Sequence, residues 1–140
     1  MNSTLFLRVA SIVSLLFAVG HTLGGAQCWS PPGETDVLRA MRAFRFDVSG
    51  VSRSYMDFYL GFGFIISSYL LLQAALLWQL AAIARADAAR TRPLIASFAL
   101  ASLASVFLTW RFVFTIPVVF SAVIAASLVA ALLVAHRGAR

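Results

Sequence analysis

Cysteine and charge are both scarce in this sequence, and each scarcity excludes a class of protein. A single cysteine, Cys28, excludes an intrachain disulfide. The only two histidines, His21 and His136, add no ligand spacing typical of a metal site, and we expect neither a metal nor another cofactor. Charged residues make up 11% of the chain, about half of what a soluble domain carries. Phosphate-binding glycine loops and serine nucleophile motifs are also missing.

Long apolar stretches occupy most of the chain. Hydrophobic residues make up 61% of the sequence, and the mean hydropathy is +0.91. Four stretches, at residues 5–25, 55–84, 94–114 and 117–136, are each long enough to cross about 30 Å of hydrocarbon as a helix. The sequence therefore predicts an all-α integral membrane protein, a four-transmembrane-helix bundle in which residues 1–140 form one membrane domain.

Local signals indicate where these helices begin and how they pack. Ser54 and Asp57 have the spacing of a capping box at the start of the second stretch. Pro93 is predicted to open the third helix, and Thr115 with Pro117 the fourth. Small residues at four-residue spacing in the last two stretches would let helices approach closely. They are Ser97, Ala101 and Ser105 in the third stretch, then Ser121 and Ala125, with Ala126 beside them, in the fourth.

The loop between the first two stretches is expected to carry structure of its own. Trp29, Pro31, Pro32 and Gly33 indicate a turn at the membrane interface, where tryptophan is favoured. Thr35 can then cap a short amphipathic helix at residues 35–46. On a helical wheel its apolar face consists of Val37, Met41, Phe44 and Val48. This pattern predicts an interfacial helix that lies in the membrane surface and covers the bundle.

The positions of the arginines bear on how the chain is oriented in the membrane. The net charge of +6 comes from arginines in short segments beside apolar stretches, where positive charge orients a membrane protein, so nucleic-acid binding is not expected. The arginines on the two sides nearly balance, and we expect both termini in the cytoplasm. One alternative stays open: the first stretch, followed by the small residues Gly24 and Ala26, resembles a cleaved secretory signal.

Polar side chains are predicted to converge at the first-loop surface of the bundle. His21 and Asp57 are the candidate catalytic pair, because a histidine beside a carboxylate can shuttle protons near neutral pH. Polar groups at membrane depth are functional candidates, and Gln73 is expected to face the bundle interior. The candidate ligand-binding residues are Arg53, Tyr55, Tyr59, Gln73, Trp110 and Arg111.

Two segments carry a resemblance to known proteins. Residues 45–63, RFDVSGVSRSYMDFYLGFG, with the run GHT at residues 20–22, resemble a family of small bacterial four-span membrane proteins. The resemblance covers the whole chain and implies a bacterial inner membrane, but no activity. In architecture the chain is similar to DoxX-like proteins and, more loosely, to the EXPERA group of sterol isomerases and sigma-2-receptor-like proteins. That group holds lipophilic ligands among its helices, although its catalytic carboxylates do not align with this chain.

Two functional hypotheses follow. The first is a protein that binds a lipophilic small molecule (an isoprenoid, a sterol-like lipid or a quinone) in a polar-lined pocket near the first loop, with or without acid/base chemistry. The second is a non-catalytic subunit or scaffold, which packs its small-residue helix faces against a larger membrane protein or another copy of itself. Both place the chain among membrane lipids, and whether it is an enzyme stays open. A third possibility, ranked last, is a transporter or channel protomer, whose four short spans would need to oligomerise.

Overall fold

The structure, a computed structural model, describes residues 3–30 and 32–137. These residues form α1 (Ser3–Ala26), α2 (Asp36–Ala43), β1 (Arg45–Val48), β2 (Val51–Ser54), α3 (Tyr55–Ala86), α4 (Ala88–Phe112) and α5 (Thr115–Arg137). Helices α1, α3, α4 and α5 are long and apolar enough to cross a membrane. The prediction of a helical membrane protein with four spans is confirmed at this level. Pro31, part of the predicted turn, lies outside the described residues.

Capping side chains decide where two of the long helices begin. The Ser54 N–H donates to Asp57 Oδ2 over 2.7 Å and the Asp57 N–H to Ser54 Oγ over 3.1 Å, so the predicted capping box at α3 is confirmed. The predicted opening of the third helix at Pro93 is wrong, because α4 begins at Ala88 and Pro93 lies inside it. Asp87 caps this earlier start by accepting from the Arg90 N–H over 3.0 Å.

The chain divides into two compact units. The first, here the bundle unit, contains the described parts of residues 1–17 and 70–140. Its core is apolar and includes the fully buried Leu7, Leu77, Ile95 and Leu128. Two polar groups in this unit bond to backbone carbonyls: Ser11 Oγ donates to the Ala74 carbonyl over 2.7 Å, and the Arg92 guanidinium to the Ala135 carbonyl. Such pairing stabilises polar groups in an apolar medium.

The second unit, here the loop unit, is Ala18–Tyr69. It contains α2, capped by Thr35, whose hydroxyl accepts from the Leu38 N–H over 3.2 Å. The predicted helix at 35–46 is too long, because the chain turns into an antiparallel hairpin after Ala43. In the hairpin, Val48 pairs with Val51 across a two-residue loop, Ser49 and Gly50, with φ of 52° and 79°. Two positive φ angles are typical of a type I′ turn, whose twist matches paired strands.

Candidate functional site

Three glycines of the loop unit form a socket for the Trp29 ring. Gly24 and Gly25 end α1, and Gly63 lies in α3. A Cβ added to Gly25 would lie 2.9 Å from Trp29 Cζ2, and one added to Gly24 would lie 3.0 Å from Trp29 Cδ1. At Gly63 the added atom would overlap the six-membered ring of Trp29 itself. The indole therefore occupies space that any other residue at these positions would fill.

The backbone at Cys28 and Trp29 is strained. Cys28 and Trp29 have φ of 53° and 44°, a left-handed conformation that bulky L-residues rarely adopt. Such residues cost on the order of 1–3 kcal/mol each and persist where the surroundings hold them in place. Here the holding contacts are the hydrogen bonds from the Cys28 N–H to the Gly25 carbonyl (3.0 Å) and from the Trp29 N–H to the Gly24 carbonyl (2.9 Å). Strain of this kind concentrates at binding and catalytic sites.

His21 lies beside this indole. Its Nδ1 is 3.0 Å from Ser67 Oγ, and its backbone carbonyl accepts from the Trp29 indole N–H over 2.8 Å. The imidazole and indole centroids are 5.0 Å apart. Tyr59 meets the indole edge-on at 5.7 Å, and the Phe64 ring lies 5.6 Å from it. His21, Trp29, Tyr59, Phe64 and Ser67 together are called the His21–Trp29 site below.

Ser67 contacts His21 from the neighbouring helix and also bonds within its own helix. Ser67 Oγ is 3.4 Å from the Gly63 carbonyl, the acceptor four residues back that a helical serine uses. The tautomer of the His21 ring decides whether Ser67 donates to Nδ1 or accepts from it. In either tautomer, a half-buried imidazole can orient a ligand hydroxyl.

The other predicted residues at the start of α3 have different neighbours. Tyr55 packs against Phe44 and Phe46, with centroid distances of 5.5 and 5.0 Å. Asp57 is exposed, caps α3 through Ser54, and lies close enough to Arg45 and Arg53 to interact electrostatically. Arg53 also donates to the Ser52 carbonyl over 2.9 Å. Proton exchange between His21 and Asp57 stays a prediction.

Three predicted ligand-binding residues belong to the bundle unit. Gln73 is half-buried and donates through Nε2 to Ser14 Oγ over 2.8 Å. Trp110 is exposed beside Phe107, with centroids 6.2 Å apart. The Arg111 guanidinium lies 5.1 Å from the centroid of its neighbour Phe112. Their convergence with His21 stays a prediction.

A shallow depression of about 340 Å³ lies in the loop unit beside α2. Arg42 crosses it, donating to Glu34 Oε1 over 2.9 Å and to Cys28 Sγ over 3.7 Å. Its lining also includes Ala26, Gln27, Pro32, Gly33 and Leu38. Among the described residues, no group of three or more His, Cys, Asp or Glu side chains could hold a metal ion.

Sequence reasoning missed Trp29 and Ser67 as site residues. Trp29 was interpreted as an interface residue of a turn, and its role depends on a loop conformation that no local rule predicts. A signal was present in the glycines: Gly24, Gly25 and Gly63 interrupt apolar helical stretches, and such glycines often mark a close approach. Comparison with known proteins finds no matching family model, curated protein or solved structure.

Proposed function

We propose that this protein binds a lipophilic small molecule with a polar end at the His21–Trp29 site. The observation that carries the proposal is the His21 imidazole of α1, which lies 3.0 Å from Ser67 Oγ of α3 and 5.0 Å from the Trp29 indole, on two helices apolar enough to cross a membrane. A polar side chain within a membrane-spanning helix is expensive and is usually kept for function. The ligand classes that fit are isoprenoids, sterol-like lipids and quinones.

In this proposal the site residues have separate roles. The polar end of the ligand hydrogen-bonds to the His21 imidazole, and its apolar body lies along the aromatic rings of Trp29, Tyr59 and Phe64. If the protein performs acid/base chemistry, Asp57 would exchange a proton with His21. The other predicted ligand contacts would complete the pocket. They are Arg53, Tyr55, Gln73, Trp110 and Arg111.

The proposal also includes the surroundings of the site. Helix α2 lies in the membrane interface and covers the bound ligand. The exposure of Val37 and Phe44, at 68% and 59%, supports this placement, because apolar groups left in water are unfavourable. The protein resides in the bacterial inner membrane, with both termini in the cytoplasm.

Photo-crosslinking tests the proposal directly. A benzophenone amino acid would replace Tyr59, which touches Trp29, and separately Tyr69, which is 67% exposed on the same helix. After irradiation in native membranes, position 59 should capture one lipophilic species, while position 69 should capture the ordinary phospholipid mixture. The same phospholipid mixture at both positions would overturn the proposal.

A specific observation favours the second candidate, a subunit or scaffold. Ser97, Ala101 and Ser105 form a small-residue stripe on α4 that stays exposed, whereas Ser121 and Ala125 of α5 are buried. An exposed stripe of this kind can pack against another membrane helix. Purification of the Ala101→Phe variant would then lose a stoichiometric partner that Leu103→Phe, an exposed control on another face, retains.

A further inference from the structure

The hairpin of β1 and β2 is amphipathic. Side chains alternate across a strand, and directly paired residues share a face. The register therefore places one mostly polar set, Arg45, Asp47, Ser52 and Ser54, on one face. The opposite face carries Phe46, Val48, Val51 and Arg53. Its three apolar residues are called the apolar hairpin face below.

Much of the apolar hairpin face is exposed. Val48 and Val51, the pair beside the turn, are 56% and 46% exposed. In bulk water, two solvent-exposed valines at the tip of a hairpin would add no stability, because no apolar surface is buried. Two-stranded hairpins are only marginally stable without a packing partner. The face therefore needs an apolar environment to cover it.

The surface of α3 indicates what that environment is. Phe46 contacts Phe58 with centroids 5.5 Å apart, and Phe58 contacts Phe62 at 6.1 Å. Phe58 and Phe62 are 44% and 63% exposed at the start of a helix apolar enough to cross a membrane. The apolar hairpin face thus continues an exposed aromatic surface of a membrane-spanning helix. Aromatic residues at the end of such a helix are typical of the lipid headgroup region.

The charges of the hairpin fit the same environment. Arg53 is the cation on the apolar hairpin side, and its pairing with Phe46 places it at the end near α3. An arginine whose stem lies on apolar surface can extend its guanidinium to lipid phosphates. The remaining charged residues of the hairpin, Arg45 and Asp47, lie on the opposite face, where water can solvate them.

We propose that the hairpin lies on the phospholipid bilayer, with Phe46, Val48 and Val51 at the acyl-chain boundary and Arg53 at the lipid phosphates. The partner is the membrane itself, through zwitterionic or anionic phospholipids alike. Apart from Arg53, which is also among the predicted ligand contacts, this inference uses no residue of the proposed ligand site. It makes the loop a membrane anchor and explains why an exposed hairpin carries its apolar residues on one face.

Spin-label accessibility tests the placement in the full chain. With Cys28→Ser as background, nitroxides would be attached to Val48→Cys and Val51→Cys, and in matched controls to Asp47→Cys and Ser52→Cys. All four positions are exposed, so labelling should preserve the fold. The protein would be reconstituted in vesicles of phosphatidylethanolamine and phosphatidylglycerol, and collisions with oxygen and with a water-soluble nickel chelate would be measured.

The proposal predicts an alternating result. The oxygen-to-nickel accessibility ratio should be several-fold higher at positions 48 and 51 than at 47 and 52, because oxygen concentrates in lipid. Equal and high nickel accessibility at all four positions would place the hairpin in water and overturn the proposal. Low accessibility to both reagents at 48 and 51 would show a protein contact instead, and would overturn it as well.

Discussion

At the scale of single residues, the contact between Gly63 and Trp29 organises the proposed site. The ring lies where a Cβ of residue 63 would be, while Gly61, two residues earlier in α3, has open space around it. The two glycines are therefore a matched pair: the same substitution meets an indole at one position and nothing at the other.

We expect Gly63→Ala to displace Trp29 and to lower the free energy of unfolding by about 1–3 kcal/mol, as overpacking does. Gly61→Ala should be neutral or stabilise by about 0.5–1 kcal/mol, because alanine is the better helix residue. Thermal unfolding of both variants in the same detergent provides the measurement. Equal melting temperatures for the two variants would contradict the close contact between Gly63 and the Trp29 ring.

Some residues of the proposed site are predictable from the sequence, and others are not. The sequence predicts Tyr59 and His21 as site residues because polar atoms stand out in an apolar helix. Trp29 and Ser67 were missed, since their roles depend on contacts between segments far apart in the chain and on two left-handed residues. Asp57 carries two predictions. Its spacing from Ser54 predicts a helix cap, which is confirmed, and its expected proximity to His21 makes it a catalytic candidate, which stays a prediction.

At the scale of elements, the hairpin turn makes the first loop more than a linker. Ser49 occupies a left-handed position that asparagine tolerates better, and Gly50 a position where any other L-residue is disfavoured. A suitable substitution at Ser49 can therefore stabilise the hairpin, whereas a substitution at Gly50 should destabilise it.

We predict that Ser49→Asn slows amide hydrogen exchange across residues 45–54 and that Gly50→Val accelerates it. The physical reason is the φ of 79° at Gly50, which costs a β-branched residue on the order of 1–3 kcal/mol. Mass-spectrometric exchange of the full chain in detergent would follow the hairpin peptide, with a peptide of α5 as internal reference. Faster exchange in both variants would argue against a type I′ turn.

Long elements were predictable from sequence, and short ones were not. A stretch of about twenty apolar residues has few backbone conformations other than a helix that satisfy its hydrogen bonds in a bilayer. The sequence therefore predicts the four long helices. The loop pattern at residues 37–48 fits a helical wheel as far as Ala43 and then gives way to strands. Ser49-Gly50, between alternating apolar and polar residues, is the sequence signal for the hairpin. Asp87, the N-cap of α4, is a better signal for the start of that helix than Pro93.

At the scale of the whole molecule, four helices are long and apolar enough to cross a membrane, and crossing by all four would place the two termini on one side. The hairpin loop and the short connection at Asp87 would then face opposite sides. In a Cys28→Ser background, we expect a membrane-impermeant maleimide added to intact bacterial spheroplasts to label Ser49→Cys but not Asp87→Cys.

The reverse labelling would put both termini outside the cytoplasm and leave the span count intact. Labelling of both positions from outside would contradict the four-span topology itself. Permeabilised spheroplasts serve as the control, because both cysteines should then react.

The proposed role of His21 is to hydrogen-bond to a bound lipophilic molecule. We would test it by mass spectrometry of organic extracts from the protein purified in native-lipid particles, comparing wild type with His21→Ala and with His136→Ala, which removes the exposed histidine near the end of α5. One lipid species should be enriched with wild type and His136→Ala and lost with His21→Ala. Extracts that are identical for all three proteins would contradict it.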